Sequence, residues 1–382
     1  MSKIKIGYVV NDLTVGGVSQ VVISLCNSLD YLKYEIHLLI LSDSLTMLNN
    51  IPLNNNVTLH LFNYKFETSY TLFTYLKNSF FLRKTFKKSI EIREKIIELN
   101  LNILHFHTLP RQLAIGILAY KKQPNIKLIF TDHSARITQG DYKIYQRALL
   151  SLAYKRLYKY YNLIAVSNVV SNYILKYKLN NKKLILKTLE NSINIKDYVR
   201  TSEIVKEKLN CIYISRINYS KGHITLIEAW KKLNHPLKGK LFIIGPDETN
   251  GKIETYAKMD ESIVFTGSVS NVRDFLNISS IGIFPSSKEG LPISLLEKMA
   301  YKLPVITSDI PELKEIINNN IEGLNFKLND VDSLLEKVLH LFNNTSKIIE
   351  MGNFSREKVE LICNLNNPIE FHNNIYNLVL QQ

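Results

Sequence analysis

Cysteine is scarce in this 382-residue chain: only Cys26, Cys211 and Cys363 occur, and no two of them form a C-x-x-C pair. That excludes a disulfide framework, argues against a zinc site and fits a reducing compartment. No apolar run reaches the roughly 20 residues of a membrane-spanning helix. The opening MSKIKIGYVV lacks the layout of a secretory leader and reads as a Lys-flanked strand. There is no G-x-G-x-x-G fingerprint, so a nicotinamide cofactor is not indicated. No nucleic-acid-binding signature, internal repeat or low-complexity tail is present. What remains is a cytoplasmic globular chain long enough for two domains.

Acidic residues are scarce in one half only. Residues 1–190 carry 26 Lys and Arg against 11 Asp and Glu, a net of +15; residues 191–382 carry 22 against 23, a net of −1. A strongly basic half is expected to meet something anionic. Nucleic acid is not expected, so an anionic membrane surface is the favoured partner, which would place the protein peripherally on the inner face of the cell membrane. Residues 70–88, YTLFTYLKNSFFLRKTFKK, mix Phe, Tyr and Leu with Lys and Arg as an interfacial helix does. Each basic side chain near an anionic leaflet contributes about 1 kcal/mol. The plain alternative is a helix packed on its own domain with a basic outer face. A second such stretch, YKIYQRALLSLAYKRLYKYY (142–161), reads as a core helix with Lys and Arg stems on its rim.

Strand-like apolar runs alternate with helical segments along the chain. KIKIGYVV, YEIHLLIL, VTLHLF, ILHFHT, KLIFTDH, LIAVS and KLILKTLEN are candidate strands of the first half; CIYISR, KLFIIG, IVFTG, IGIFPS and LPVITSD are those of the second. Such alternation predicts parallel sheets covered by helices. Two sets, separated near 195–210, predict two doubly wound domains, here 1–195 and 205–365, followed by an amphipathic terminal helix over 366–382. Ligands of such sheets bind at the carboxyl ends of the strands, so the site is expected in a cleft between the domains.

Two constellations carry chemistry. Glu289 and Glu297 stand with seven residues between them in KEGLPISLLEKMAYKLPVITSD. IGIFPS reads as a buried strand before them, and Pro292 suits the first turn of a helix. Helix-terminal amides can hold a phosphate, while carboxylates accept hydrogen bonds from sugar hydroxyls. Arg216-Ile-Asn-Tyr-Ser-Lys221-Gly222 follows the strand CIYIS. Breaking a sugar–diphosphate bond loads negative charge on the leaving phosphate, and two fixed cations stabilise it. Arg can grip phosphate oxygens bidentately, Lys acts as a point charge, and Gly222 permits close backbone approach.

E-x7-E together with R-x4-K-G resembles the retaining glycosyltransferases of family 4, the glycosyl transferases group 1. The resemblance covers nearly the whole chain and is strongest over 205–325. It implies an α/β GT-B fold, two facing Rossmann-like domains with an inter-domain cleft, with the donor bound mainly by the second and the acceptor by the first. It implies a nucleotide-sugar donor, UDP-sugar before GDP-mannose, and a lipid-linked or other saccharide acceptor in bacterial surface polysaccharide assembly (capsule, O-antigen or exopolysaccharide). It implies catalytic roles for His133, Arg216, Lys221 and Glu289. Glu289 would contact the donor sugar, Glu297 the ribose, Gly290, Leu291 and Pro292 the diphosphate, and Thr266 and Gly267 the base. The terminal helix would cross back to the first domain.

Gly16-Gly17 opens a helix after the first strand, where a ligand phosphate could approach the backbone; a simple turn is the plain alternative. His133 ends a strand in IFTDHSARI, and the adjacent Asp132 could orient it or cap the turn. His105 and His107 alternate in ILHFHT, so one of them is expected to face the cleft, His107 being nearer the strand end. Asn191 stands where relatives read N-G-V-D, with Ser192 and Asn194 replacing the Gly and Asp. Gly245-Pro246-Asp247 is expected to be a turn and nothing more. Asp330-Val331-Asp332 spells a metal motif of another glycosyltransferase fold, but helix capping accounts for it. Arg216 and Lys221 occupy the role of a divalent cation, so no metal or other cofactor is expected. The rival readings are a nucleotide-sugar epimerase of the same architecture and a non-catalytic partner subunit.

Overall fold

The structure is a computed structural model that describes residues 2–14, 16–49, 51–63, 79–108, 110–134, 144–202, 208–258, 260–365 and 367–382. The chain divides into two compact units, residues 1–189 with 368–382, and residues 190–367. Residues 190–202, shared by expectation between the first domain and a linker, therefore belong to the second unit.

The first unit is a seven-stranded sheet in the order β3-β2-β1-β4-β5-β6-β7. Its strands are Ile4–Val10, Tyr34–Ile40, Val57–Leu61, Ile103–His107, Lys127–Asp132, Asn162–Ala165 and Leu186–Thr188 for β1 to β7, and every pairing is parallel. Ile6–Val10 of β1 and all of β4 are buried. Strands covered on both faces need apolar side chains at successive positions, which is why they read as continuous runs rather than alternating ones. Helices α1 (Gly17–Ser28), α2 (Ser79–Glu98), α3 (Leu113–Lys122), α4 (Ile144–Tyr158) and α5 (Asn168–Lys176) follow in the sequence.

The last helix, Pro368–Leu380, belongs to this unit's core through Ile375, Tyr376 and Val379. Tyr376 Oη lies 2.6 Å from Tyr8 Oη, and Tyr34 Oη donates to Asn373 Oδ1 at 2.7 Å. A buried phenol needs a partner, so these bonds fix the helix in register as well as in place.

The second unit is a six-stranded parallel sheet in the order β10-β9-β8-β11-β12-β13. Its strands β8 to β13 are Leu209–Ile214, Lys238–Ile244, Ile263–Gly267, Ile281–Phe284, Val305–Ser308 and Gly323–Phe326. All twelve candidate runs form strands. The thirteenth, GLNF, was not anticipated: it is an edge strand of four residues with a Gly and an Asn in it, and so carries little apolar signal. Helices α6 (His223–Lys232), α7 (Lys252–Ala257), α8 (Val272–Asn277), α9 (Ile293–Ala300), α10 (Pro311–Lys314), α11 (Val331–Asn343) and α12 (Thr345–Leu365) complete the unit, and Pro368–Leu380 is α13.

Asp330 is the N-cap of α11, its Oδ1 accepting from Ser333 N at 2.9 Å. The D-x-D spelling thus has a helix-capping cause. No helix among the described residues is long and apolar enough to cross a membrane.

Candidate functional site

In each sheet the strand order reverses beside the first strand, between β1 and β4 and between β8 and β11. At such a point the two connections leave in opposite directions and open a crevice at the carboxyl ends of the strands. In the second unit the segments emerging there are 215–222 after β8 and 285–292 after β11, the two motif loops.

The loops are stitched together. Ser287 donates to Ser220 O from its backbone N at 3.0 Å and from its Oγ at 2.8 Å. Tyr213 Oη donates to Lys221 O at 2.7 Å and meets Ser286 Oγ at 2.9 Å. Gly222, at φ +71°, packs so tightly that a Cβ would fall 2.0 Å from Pro285 O. Glycine is demanded here twice, by the left-handed conformation and by the missing space. The close approach is to the neighbouring loop of the protein itself.

Lys221 and Glu289 meet in this crevice. Lys221 Nζ lies 2.6 Å from Glu289 Oε1 and also donates to Lys288 O at 3.4 Å. Their side chains are only 16% and 8% exposed. A pair this sheltered is held firmly, and removing one partner strands the other charge at a cost of about 3–5 kcal/mol. Arg216 is held differently. Its Nη1 lies 2.7 Å from Glu248 Oε1, with side chains 55% and 41% exposed. An exposed pair is worth about 0–1 kcal/mol, so an incoming anion can take Arg216 from Glu248 readily.

Glu248 reaches Arg216 because the β9–α7 loop is laid against the β8–α6 loop. Ile217 N donates to Pro246 O at 2.8 Å and Glu248 N to Ile217 O at 3.0 Å. A Cβ on Gly245 (φ +146°) would stand 1.9 Å from Ser215 O. Asp247 accepts from Thr249 N at 2.9 Å and from Gly251 N at 2.5 Å. Gly245-Pro246-Asp247 is therefore more than a turn: it sets the neighbour of the arginine. Sequence reasoning overlooked Glu248, whose sole signal was its place just after a turn.

Pro292 is the N-cap of α9 rather than a first-turn residue. Leu291 is buried, and its carbonyl accepts from Asn191 Nδ2 at 2.7 Å. Asn191, assigned no contact from sequence, thus anchors the Gly290–Pro292 loop. Ser294 Oγ donates to Ile214 O at 3.0 Å, tying the first turn of α9 to the end of β8. Glu297, half-buried in α9, accepts from Tyr198 Oη at 2.9 Å. Tyr198 was not foreseen; it lies 99 residues away in an irregular segment. Thr266 and Gly267 end the edge strand β10, both short of full burial, with Gly267 O accepting from Gly245 N at 2.9 Å. The structure joins Lys221 to Glu289 directly, and gives Arg216 and Glu297 partners of their own.

The first unit's residues form a separate group. Gly16 is the N-cap of α1 and Gly17 its first residue. A Cβ on Gly16 would meet little besides Thr14 O at 4.0 Å, so the loop is open there. Asp12 accepts from Thr14 N at 3.1 Å, and Gln112 Nε2 donates to Asn11 Oδ1 at 2.6 Å across the β1/β4 reversal. His133 follows β5, its Nε2 3.1 Å from His107 Nδ1. Asp132 caps the turn through Ser134 N at 3.2 Å and accepts from Tyr158 Oη at 2.7 Å.

The expectation for the histidine pair needs correction. Residues two apart on a strand share a face, and the rings of His105 and His107 lie on one side with centroids 4.4 Å apart. His105 bonds Thr131 Oγ1 at 2.8 Å and Tyr376 Oη at 3.0 Å. Burial pushes both imidazoles well below the ordinary histidine range, so both are neutral near pH 7.

The basic stretches also come out differently. Residues 70–78 of the candidate interfacial segment lie outside the described residues. The 142–161 stretch is not simply a core helix: α4 buries Tyr154 and Tyr158, while Tyr145, Leu149 and Leu152 are about half exposed along one stripe, ahead of exposed Lys155 and Arg156.

Known proteins resemble this chain in sequence and in fold. The profile described as Glycosyltransferase Family 4 matches residues 15–186, and that described as Glycosyl transferases group 1 matches residues 208–344. Together they span more than half of the chain. The chain is 24% identical over 302 residues to the capsular polysaccharide biosynthesis glycosyltransferase CapM of Staphylococcus aureus, covering 69% of this chain and 80% of CapM. It is 26% identical over 284 residues to the N,N'-diacetylbacillosaminyl-diphospho-undecaprenol alpha-1,3-N-acetylgalactosaminyltransferase of Campylobacter jejuni, covering 70% of this chain and 72% of that enzyme. HepE of Anabaena, solved with UDP and glucose, superposes with a TM-score of 0.76 at 14% identity, over 97% of this chain and 99% of HepE, a likeness of fold.

Proposed function

The chain belongs to the group 1 glycosyltransferases of family 4, with the GT-B fold, and on that premise we propose that it transfers a sugar with retention from a UDP-sugar to a lipid-linked saccharide during assembly of a bacterial surface polysaccharide. The observation that carries this reading is the sheltered Lys221–Glu289 pair at the β8/β11 reversal. The donor diphosphate lies against the β8–α6 and β11–α9 loops. Lys221 and Arg216 oppose the negative charge that grows on the leaving phosphate, Arg216 exchanging Glu248 for a phosphate oxygen. Glu289 accepts hydrogen bonds from the sugar and Glu297 from the ribose, while Thr266 and Gly267 border the base. Retention follows a front-face route in which the leaving phosphate takes the acceptor hydroxyl's proton. The protein's share is then positioning and electrostatics, with no metal required. His133, its ring directed by His107, contacts the donor sugar beside the reacting carbon, and Gly16 and Gly17 admit the diphosphate to their backbone.

A capsular role is supported by the likeness to CapM, the diphosphate-linked lipid acceptor by the likeness to the Campylobacter enzyme, and UDP by the likeness to HepE. The basic first unit and the Tyr145/Leu149/Leu152 stripe of α4 suit a protein lying on the inner face of the membrane.

The test is a thermal-shift screen of UDP, GDP and ADP in the presence of EDTA, followed by transfer assays with the matching donors. UDP is expected to raise the melting temperature, and donor to be consumed only when a lipid-linked acceptor is supplied. Consumption of donor alone would turn the reading to an epimerase; a preference for GDP would replace the donor.

A further inference from the structure

One charged side chain of the second unit has no place in the chemistry above. Lys298, next to Glu297 in α9, is fully buried. Its stem fills the space beside Gly282 of β11, where a Cβ would come within 2.6 Å of the lysine's Cδ. Its Nζ donates to Ser294 O at 3.2 Å, lies 4.5 Å from the centroid of the Phe284 ring and 5.8 Å from that of Tyr213. Among the described residues no carboxylate forms an ion pair with it. A buried ammonium on one carbonyl and two aromatic faces is an expensive choice where Met or Leu would pack. Tyr213 links it to the motif loops, for the Tyr213 hydroxyl donates to Lys221 O and meets Ser286 Oγ.

We propose that Lys298 is a positioning residue of the donor site, whose buried ammonium supports the bound diphosphate from inside the protein, so that diphosphate binding and protonation of Lys298 favour each other. The proposal rests on reading the β8/β11 crevice as the nucleotide-sugar site. The charged and titratable groups around Lys298 are Glu297 on its own helix, Glu289 before that helix, Lys221 paired to Glu289, and Tyr213 on β8. On the far side, Arg356 of α12 donates to Ala300 O at 2.8 Å. Burial brings the Lys298 ammonium down to about 7, against smaller opposing effects of Glu297 and Glu289. The free protein therefore holds the ammonium only partly near neutral pH. An anion bound nearby restores it, and by linkage the proton strengthens the anion's binding.

The sign for stability is fixed. Between about pH 7 and the ordinary lysine value, the unfolded chain binds more protons than the folded one, so this residue makes the fold more stable as pH rises through that window.

Calorimetric titration of the wild-type protein with UDP at pH 7.5, in buffers of different ionisation enthalpy, reads the proton count directly. Lys298→Met supplies the reference, because UDP carries a titrating phosphate of its own. Wild type is expected to take up roughly half a proton more than the variant. The variant is expected to bind UDP about tenfold more weakly at pH 7, yet to melt no lower than wild type. A residue that merely fills space would change none of the proton count. Equal proton uptake in the two proteins, or equal affinity, overturns the proposal. Should the methionine variant not fold, the wild type decides alone: its UDP affinity must fall about tenfold between pH 7 and pH 9, and a flat profile overturns the proposal. If none of UDP, GDP and ADP binds the wild type, the nucleotide-sugar reading itself falls and takes this one with it. Binding without proton uptake removes only Lys298.

Discussion

The two units share a plan and differ in how they handle charge. Each is a parallel sheet whose strand order reverses beside its first strand, and each gathers polar groups at that reversal. The first unit, at a net +15, places neutral imidazoles there; the second, at −1, places ion pairs. Net charge therefore does not locate the chemistry. It acts over about a Debye length on whatever approaches the surface, whereas reactivity depends on which groups are sheltered and paired within a few ångströms. His105 and His107 are neutral because they are buried, and the neighbouring histidines act in the same direction. Lys221 is held by Glu289 in a unit with almost no net charge.

The largest expected effect tests the ion pairs. Lys221→Ala and Glu289→Ala should each lower turnover at least about a hundredfold, while Glu248→Ala, which removes an exposed partner, should stay within a few-fold of wild type. Steady-state kinetics on folded variants decide this, and near-normal turnover for Lys221→Ala would break the contrast.

The next effect sets the units against each other in acid. His105, His107 and His372 of the first unit and His223 of the second are all held neutral by burial, His372 and His223 down to about 4. A histidine whose folded value is depressed stabilises the fold above its unfolded value, about 6.5, and that stability is lost as pH falls toward the folded value. For His372 alone this is on the order of 3 kcal/mol. Burial lowers His37 and His60 of the first unit as well, so with five such groups against one the first unit should unfold at the higher pH. Trp230, the single tryptophan, is buried in the second unit, so its fluorescence reports that unit while circular dichroism reports both. The dichroism transition should precede the fluorescence transition between pH 6.5 and 4; coincident transitions would contradict it.

The smallest effect concerns the surface. Leu149→Glu with Leu152→Glu in α4 should reduce flotation with anionic liposomes several-fold at low salt and leave UDP binding unchanged. Unchanged flotation would move the membrane contact off α4.

Much of this was legible in the residue order. Twelve strands announced themselves because buried parallel strands need unbroken apolar runs, and the motif loops because glycine, proline and charge sit at fixed distances from those runs. The short edge strand at Gly323–Phe326 escaped because four residues with a Gly and an Asn carry no such pattern. Glu248 and Tyr198 escaped because their roles come from loops packed side by side, 32 and 99 residues from the groups they serve. The exposed stripe of α4 escaped because an apolar helix position gives no sign of whether anything covers it.

Hydrophobic periodicity and local turn chemistry are properties of neighbours along the chain, and they alone determined two doubly wound units, the strand ends from which Arg216, Lys221 and Glu289 emerge, and the helix that carries Glu297. Pairing, burial and protonation depend on what lies across a crevice. Only the tertiary structure decided that Lys221 is sealed against Glu289, that Arg216 is lightly held, that two histidines share one face, and that Lys298 stands buried beside Tyr213.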